Sequence, residues 1–289
     1  MKIAIFGSNY QRKEQIEQIF GILSDYDARV CIEREFHDYL ISEFGMEFPH
    51  VRSFSGEDFN ADCVFSIGGD GTFLKTVAAI GKKDIPILGI NSGRLGFLAD
   101  ITEDNLNETL HEILQGKYRI EHRTQLELMG MQDLFQGKNF ALNEIAVLKQ
   151  DTASMININA YINDEYLTSY QCDGLIVSTP TGSTAYSLSV GGPIMNPNAA
   201  NFIISAIAPH SLNTRPLVIE DNSIIVLEVE SRNRNFLISL DGRSEVIPTG
   251  LNLTIKKSVS TIKLAKRIGH TFYGTLRDKL MWGVDPRTK

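Results

Sequence analysis

Cys63-Val64-Phe65-Ser66-Ile67-Gly68-Gly69-Asp70-Gly71-Thr72, followed by Phe73-Leu74-Lys75-Thr76-Val77-Ala78-Ala79-Ile80, is the stretch that decides the fold. Its first five residues form a continuous apolar run, the pattern of a strand buried on both faces. Glycines then interrupt it, and a plausible helix start follows at Phe73. Outward from it the same alternation repeats. Lys2-Ile3-Ala4-Ile5-Phe6 is a short β-type run stopped by Gly7-Ser8-Asn9, and Ile16, Ile19, Phe20 and Leu23 recur at helical spacing. Ile85 to Ile90 predicts another strand; Leu106, Leu110, Ile113 and Leu114 predict a helix with Thr102 as cap and Gly116 at its end. Strand and helix in alternation imply an α/β domain with a mostly parallel sheet.

The period changes near residue 120. Ile156, Ile158, Ala160 and Ile162 alternate with Met155, Asn157, Asn159 and Tyr161, and Asn163-Asp164 reads as a hairpin turn into a strand from Tyr166. Further strands are expected at 224–229, 236–240, 251–255 and 261–268, and a short helix from Tyr273 to Trp282. The second half is therefore expected to be an antiparallel β-sandwich. The expected division is 1–118 plus 272–289 for the α/β domain and 119–271 for the β domain.

A chain of 289 residues suits about two domains. A net charge of −7 argues against a general nucleic-acid or membrane-surface binder, since both need an excess of Lys and Arg. Cys31, Cys63 and Cys172 are far apart and odd in number, which fits a reducing cytoplasm and gives no zinc or redox spacing. The four apolar residues before Gly7 are too few for a signal peptide, and no run approaches a spanning helix. None of the six histidines has metal-site spacing.

Three polar clusters carry the chemistry. In Gly68-Gly69-Asp70-Gly71-Thr72 the glycines let the backbone turn sharply toward a ligand, and the free N–H groups of the following helix face an anion. Asp70 would repel phosphate unless it holds Mg²⁺ or orients and deprotonates an attacking hydroxyl. A tight turn that uses Asp for its backbone tolerance is the plainer alternative. The P-loop and GxGxxG fingerprints are absent. The second cluster, Asp173-Gly174 and then Thr179 to Ser189, is rich in hydroxyls suited to sugar and phosphate oxygens, with Tyr186 able to pack against a base. A polar loop with a helix cap would look the same. Asn143-Glu144, set among apolar Ala141, Leu142, Ile145 and Ala146, needs partners from a ligand or from an internal network.

Together these segments resemble the NAD kinase family. The resemblance rests on Gly68 to Thr72, Gly89-Ile90-Asn91-Ser92-Gly93-Arg94-Leu95-Gly96-Phe97-Leu98, Asn143-Glu144, and Asp173 to Ile194, in the family's order. It implies an N-terminal Rossmann-like, phosphofructokinase-like α/β domain and a C-terminal β-sandwich. The C-terminal tail would return to the first domain, and the active site would lie between the two. It implies transfer of the ATP γ-phosphoryl group to the 2′-hydroxyl of the adenosine ribose of NAD, with Mg²⁺ carried on ATP and no metal-binding side chain assigned. Asp70 matches the proton acceptor. Gly68, Gly69, Gly71 and Thr72 match the phosphate cradle, with Lys75 near phosphate or simply an exposed helix lysine. Asn143, Glu144, Thr181, Thr184, Ala185, Tyr186, Ser187, Leu188, Ser189 and Ala208 match NAD contacts, which Asp70 and Gly71 join. Asp173 matches a residue that reaches the nicotinamide end, often in a neighbouring subunit, so a homodimer or homotetramer with shared sites is expected. Leu240-Asp241-Gly242-Arg243 departs from the family's Asp-Gly-Gln. Arg243 is expected either to meet a phosphate, for which its fork is suited, or to point to solvent. Two rival readings stay open: a lipid kinase sharing the glycine turn, and a dinucleotide-binding regulator without turnover.

Overall fold

The computed structural model describes residues 1–49, 51–93, 96–131, 134–150 and 154–283. The chain forms two compact units, Met1–His122 with Ile262–Lys289, and Arg123–Thr261. These limits differ from the expected 118/119 and 271/272 because two long strands, Tyr118–Met129 and Asn252–Arg267, run through them.

In the first unit the elements are β1 (Lys2–Gly7), α1 (Lys13–Asp25), β2 (Arg29–Glu33), α2 (Arg34–Phe44), β3 (Arg52–Phe54), β4 (Cys63–Ile67), α3 (Asp70–Ile80), β5 (Ile87–Ile90) and α4 (Leu106–Leu114). Strands β1 to β5 are all parallel, in the order β3-β2-β1-β4-β5. That is the doubly wound order, and it places a topological switch point between β1 and β4, where ligands of such sheets bind. All residues of β4 and β5 are buried, as continuous apolar runs require. Ile16, Ile19 and Leu23 of α1 and Leu106, Leu110 and Ile113 of α4 share one core with Ile3, Ile5, Phe65 and Ile67. Burial of each such side chain is worth roughly 1.5–3 kcal/mol.

In the second unit follow β6 (Tyr118–Met129), β7 (Phe140–Ala141), β8 (Glu144–Lys149), β9 (Ile156–Ile162), β10 (Glu165–Cys172), β11 (Gly174–Ser178), the short α5 (Tyr186–Ser189), β12 (Asn201–Ile207), β13 (Leu217–Glu220), β14 (Ile225–Glu230), β15 (Asn235–Leu240), β16 (Arg243–Pro248) and β17 (Asn252–Arg267). One sheet runs β13-β12-β11-β8-β15-β16, antiparallel throughout. The other runs β10-β9-β14 and the first part of β17, also antiparallel. Their apolar faces meet in one core that joins Val147, Val177 and Ile204 to Ile158, Leu227 and Leu253, which is the expected sandwich. Asn163 and Asp164 both have positive φ, 51° and 67°, so the β9–β10 turn is the two-residue hairpin their side chains predict.

One expectation is corrected. The runs 251–255 and 261–268 are not two strands but the single β17. Lys256 to Ser260 stays within the strand although the alternation shifts by one residue there, from buried Leu253 and Ile255 to buried Ser258, and exposed Lys257 pairs with Asp221. The last part of β17 lies parallel beside β5, with Leu264 opposite Ile87, and leads to α6 (Phe272–Leu280) in the first unit. Residues 284–289 of the expected tail lie outside the described residues. Among the described residues no helix is long and apolar enough to cross a membrane.

Candidate active site

In the first unit the glycine turn is tighter than expected, and α3 begins at Asp70. Gly69 caps it in extended conformation and Gly68 turns at φ 152°. A Cβ on Gly68 would lie 2.4 Å from Thr72 Oγ1, so only glycine lets β4 pass so directly into the helix. The N–H groups of the first helical turn, Asp70 to Thr72, thus stand at the C-terminal end of β4, at the switch point. A cavity of about 400 Å³ opens there, lined in part by Gly7, Ser8, Asn9, Thr72 and Lys75. Lys75 is exposed on α3.

Asp70 is not a free carboxylate in the turn. Its Oδ2 accepts the N–H of Phe97 at 2.8 Å, and its Oδ1 accepts those of Leu98 at 3.0 Å and Ala99 at 3.2 Å. Gly96 makes this possible: a Cβ there would sit 2.5 Å from Asp70 Oδ1. The loop is seated in turn by Asn91, whose N–H donates to Ile101 O and whose Nδ2 donates to Ala99 O. The family-like segment Gly89 to Leu98 is therefore the scaffold of Asp70; its Arg94 and Leu95 lie outside the described residues. With Oδ1 taken by two donors and Oδ2 by one, Oδ2 keeps an acceptor position for a hydroxyl.

In the second unit a break between β7 and β8 holds Asn143, and Glu144 is the first residue of β8. The break exists because Asp241 takes three successive N–H groups there: Leu142 at 2.6 Å on Oδ2, then Asn143 at 2.8 Å and Glu144 at 3.1 Å on Oδ1. Asp241 and Gly242 both have positive φ, 50° and 82°, forming the β15–β16 hairpin turn. Asp241 went unassigned in the sequence, although its Asp-Gly pair is a hairpin signal. Burial raises its own pKa, opposed by those three N–H groups and by Arg243. Glu144 is pushed up to about 8, first by burial and then by Asp241, with the Tyr186 N–H acting the other way. Asn143 Oδ1, Glu144 Oε2 and Ser187 Oγ are buried with no hydrogen-bond partner in the protein. Three such atoms in one place call for a polar ligand.

The hydroxyl-rich segment folds against this break. Thr181–Thr184 is a 3₁₀ turn and Tyr186–Ser189 a single helical turn. Thr179 Oγ1 donates to Leu142 O at 2.6 Å, and Ser178 Oγ to Asn143 O at 3.3 Å. A Cβ on Gly182 would lie 2.1 Å from Asn143 O, and one on Gly192 would lie 2.2 Å from Ser187 Oγ. Both glycines are therefore required for the close approach. Tyr186 and Ser189 are exposed, Thr184, Ala185 and Leu188 half-buried, and Thr181 and Ser187 buried.

The second unit thus gathers Asn143, Glu144, Thr181 and Thr184 to Ser189, and leaves two expected residues elsewhere. Asp173 and Ala208 lie at the other end of β11, where Gly174 pairs with Ile207; Glu144 pairs with Ser178 at the near end. At about 3.3 Å per residue the two ends stand roughly 15 Å apart. Asp173 forms an ion pair with Lys149 at 2.7 Å, and Ala208 is exposed at φ 44°. Arg243 turns its fork to the backbone. Nη1 donates to Lys138 O at 2.6 Å and Nη2 to Phe140 O, with the rings of Phe135 and Phe140 beside it. Carbonyls exposed where β7 ends so soon provide its partners.

Comparison with known proteins bears on the family and the fold. Residues 17–118 match the ATP-NAD kinase N-terminal domain family and residues 142–266 the ATP-NAD kinase C-terminal domain family. An NAD kinase of Bacteroides fragilis is 50% identical over 99% of this chain and 100% of its own length. The crystal structure of an Archaeoglobus fulgidus NAD kinase in complex with ATP superposes with a TM-score of 0.77 at 27% identity, covering 96% of this chain and 99% of that one. A yeast NADH kinase complexed with NADH shares the fold, with a TM-score of 0.84 at 22% identity over 100% of this chain and 90% of that one.

Proposed function

The chain belongs to the NAD kinase family, and from that premise we propose that it transfers the γ-phosphoryl group of Mg²⁺-ATP to the 2′-hydroxyl of the adenosine ribose of NAD, giving NADP and ADP. The observation that carries this reading is Asp70, a carboxylate fixed by three N–H groups at the first position of α3.

Phosphoryl transfer needs alignment and charge neutralisation more than covalent help. Backbone N–H groups of Gly68, Gly69, Gly71 and Thr72 cradle phosphate, with Lys75 as the nearby cation. Mg²⁺, when bound, neutralises charge on the triphosphate. Both Asp70 oxygens already accept N–H bonds, and among the described residues no group of three or more His, Cys, Asp and Glu could hold a metal. This donor set suits an ion held chiefly by phosphate oxygens. Oδ2 of Asp70 orients the hydroxyl and accepts its proton. Asn143 and Glu144 bind the adenosine part of NAD through their unpartnered oxygens, and Thr181 and Thr184 to Ser189 complete that surface. The 3′-hydroxyl is chemically similar, so selection of the 2′ position must come from how NAD is held.

Asp173 and Ala208, at the far end of β11 from Asn143, are assigned to the nicotinamide end of NAD, in a neighbour's site of a homodimer or homotetramer. Three free cysteines suit a cytoplasmic protein. Asp70→Asn tests the catalytic role: kcat should fall about 10²- to 10⁴-fold, the range of a lost general base, with KM for NAD little changed. NADP formation at near wild-type rate would remove Asp70 from the mechanism.

A further inference from the structure

On the reading of Asp70 given above, we propose that Lys266 is a positioning residue for it, acting with Asp100 and His270 through one peptide group. Leu98 C=O and Ala99 N–H belong to the same planar peptide. On one side its N–H donates to Asp70 Oδ1 at 3.2 Å; on the other, Lys266 Nζ donates to its carbonyl at 3.3 Å. Rotation of that peptide breaks both bonds together. Lys266 cannot drift, because its Nζ is 2.7 Å from Asp100 Oδ2 and the two side chains are 4% and 7% exposed. His270 Nε2 stands 3.2 Å from the same Asp100 oxygen and 3.1 Å from Thr275 Oγ1 of α6. Arg119 Nη2 donates to His270 O at 2.7 Å. The peptide has no slack toward the sheet either: a Cβ on Gly89 would meet Ala99 Cα at 2.7 Å and Leu98 O at 2.8 Å.

A cation on the carbonyl polarises the peptide and strengthens the bond its N–H makes to the carboxylate. Lys266 thereby keeps Oδ1 engaged and Oδ2 aimed at the hydroxyl. A buried ion pair that merely held the fold would have no such link to the rate of one step.

The experiment is steady-state kinetics of Lys266→Met, Lys266→Arg and the charge-neutral pair Lys266→Met/Asp100→Asn, with Asp70→Asn alongside. Lys266→Met and the pair should lose at least tenfold in kcat while KM for ATP and NAD stays within twofold. Lys266→Arg, which keeps the cation, should retain at least a third of wild-type kcat. If Lys266→Met does not fold, the other two variants carry the same reading. The proposal is overturned by a kcat within twofold of wild type in Lys266→Met or the pair, by losses shared between kcat and both KM values, or by Lys266→Arg faring no better than removal of the cation. Wild-type kcat in Asp70→Asn would instead defeat the reading of Asp70 itself. A disabled Asp70→Asn beside an undisturbed Lys266→Met would defeat the positioning role alone.

Discussion

Asp70 and Asp241 make the same set of bonds in different units. Each takes three successive backbone N–H groups, Phe97 to Ala99 in one case and Leu142 to Glu144 in the other. Their surroundings separate them. Asp70 stands at the first position of α3, and Thr72 and Lys75 of that helix line a cavity. Asp241 is set in a hairpin turn, with Arg243 nearby and Glu144 raised to about 8 partly by its charge. The same hydrogen-bond pattern thus aims a reactive group in one unit and shapes a binding surface in the other. A carboxylate's bonding pattern does not define its task; what lies beyond the pattern does.

The contrast can be broken by paired substitutions. The largest effect belongs to Asp70→Asn, already set at 10²- to 10⁴-fold in kcat. Asp241→Asn should act differently. Its new amide hydrogens would face the N–H groups of 142–144, at a cost of about 1–3 kcal/mol for unsatisfied buried donors. Thermal unfolding should shift down and KM for NAD should rise, with kcat falling less than in Asp70→Asn. If Asp241→Asn were catalytically as severe as Asp70→Asn at unchanged KM, the division of labour would be wrong.

Gly96→Ala and Gly182→Ala sharpen the same line. The first would place a methyl 2.5 Å from Asp70 Oδ1 and the second 2.1 Å from Asn143 O. Gly96→Ala should lower kcat; Gly182→Ala should lower stability by about 1–3 kcal/mol and raise KM for NAD. Interchanged signatures would contradict the assignment of the two units.

The smallest effect concerns Glu144. Its pKa in the folded protein, about 8, lies above the ordinary glutamate range, so the native state holds a proton that the unfolded chain releases. Stability therefore declines as pH rises through that window and levels off above about 8. Glu144→Gln removes the decline. Melting curves at pH 5.5 and 8.5 should show the variant gaining on wild type at the higher pH, by on the order of 1–2 kcal/mol. A gain confined to the lower pH would reverse the sign and refute the buried, proton-holding state.

The features legible in the sequence were local. The buried run before Gly68, the alternation of 156–162 and the Asn163-Asp164 turn each state their structure within a few residues. The polar pair Asn143-Glu144 and the hydroxyls of 179–189 state a need for partners, which Thr179 and Ser183 find in the carbonyls of Leu142 and Pro180. The unread features were bonds across long separations. Asp70 meets amides 27 to 29 residues away, Asp241 meets amides 97 to 99 residues away, and Lys266 meets a carbonyl 168 residues away. No spacing rule reports such pairings, because sheet order creates them. Arg243 shows the same limit: its fork suits phosphate, yet a short neighbouring strand left carbonyls nearer. β17 was read as two strands because Lys256 to Ser260 are mostly polar and the apolar alternation shifts by one residue there.

The most direct test of the account is the position of the phosphate in the product. Purified protein with Mg²⁺-ATP and NAD should yield ADP and a dinucleotide carrying its new phosphate on the adenosine ribose 2′-oxygen, as read by ³¹P NMR and by acceptance as NADP by an NADP-specific dehydrogenase. A 3′-phosphate, or NAD bound and returned unchanged, would contradict it.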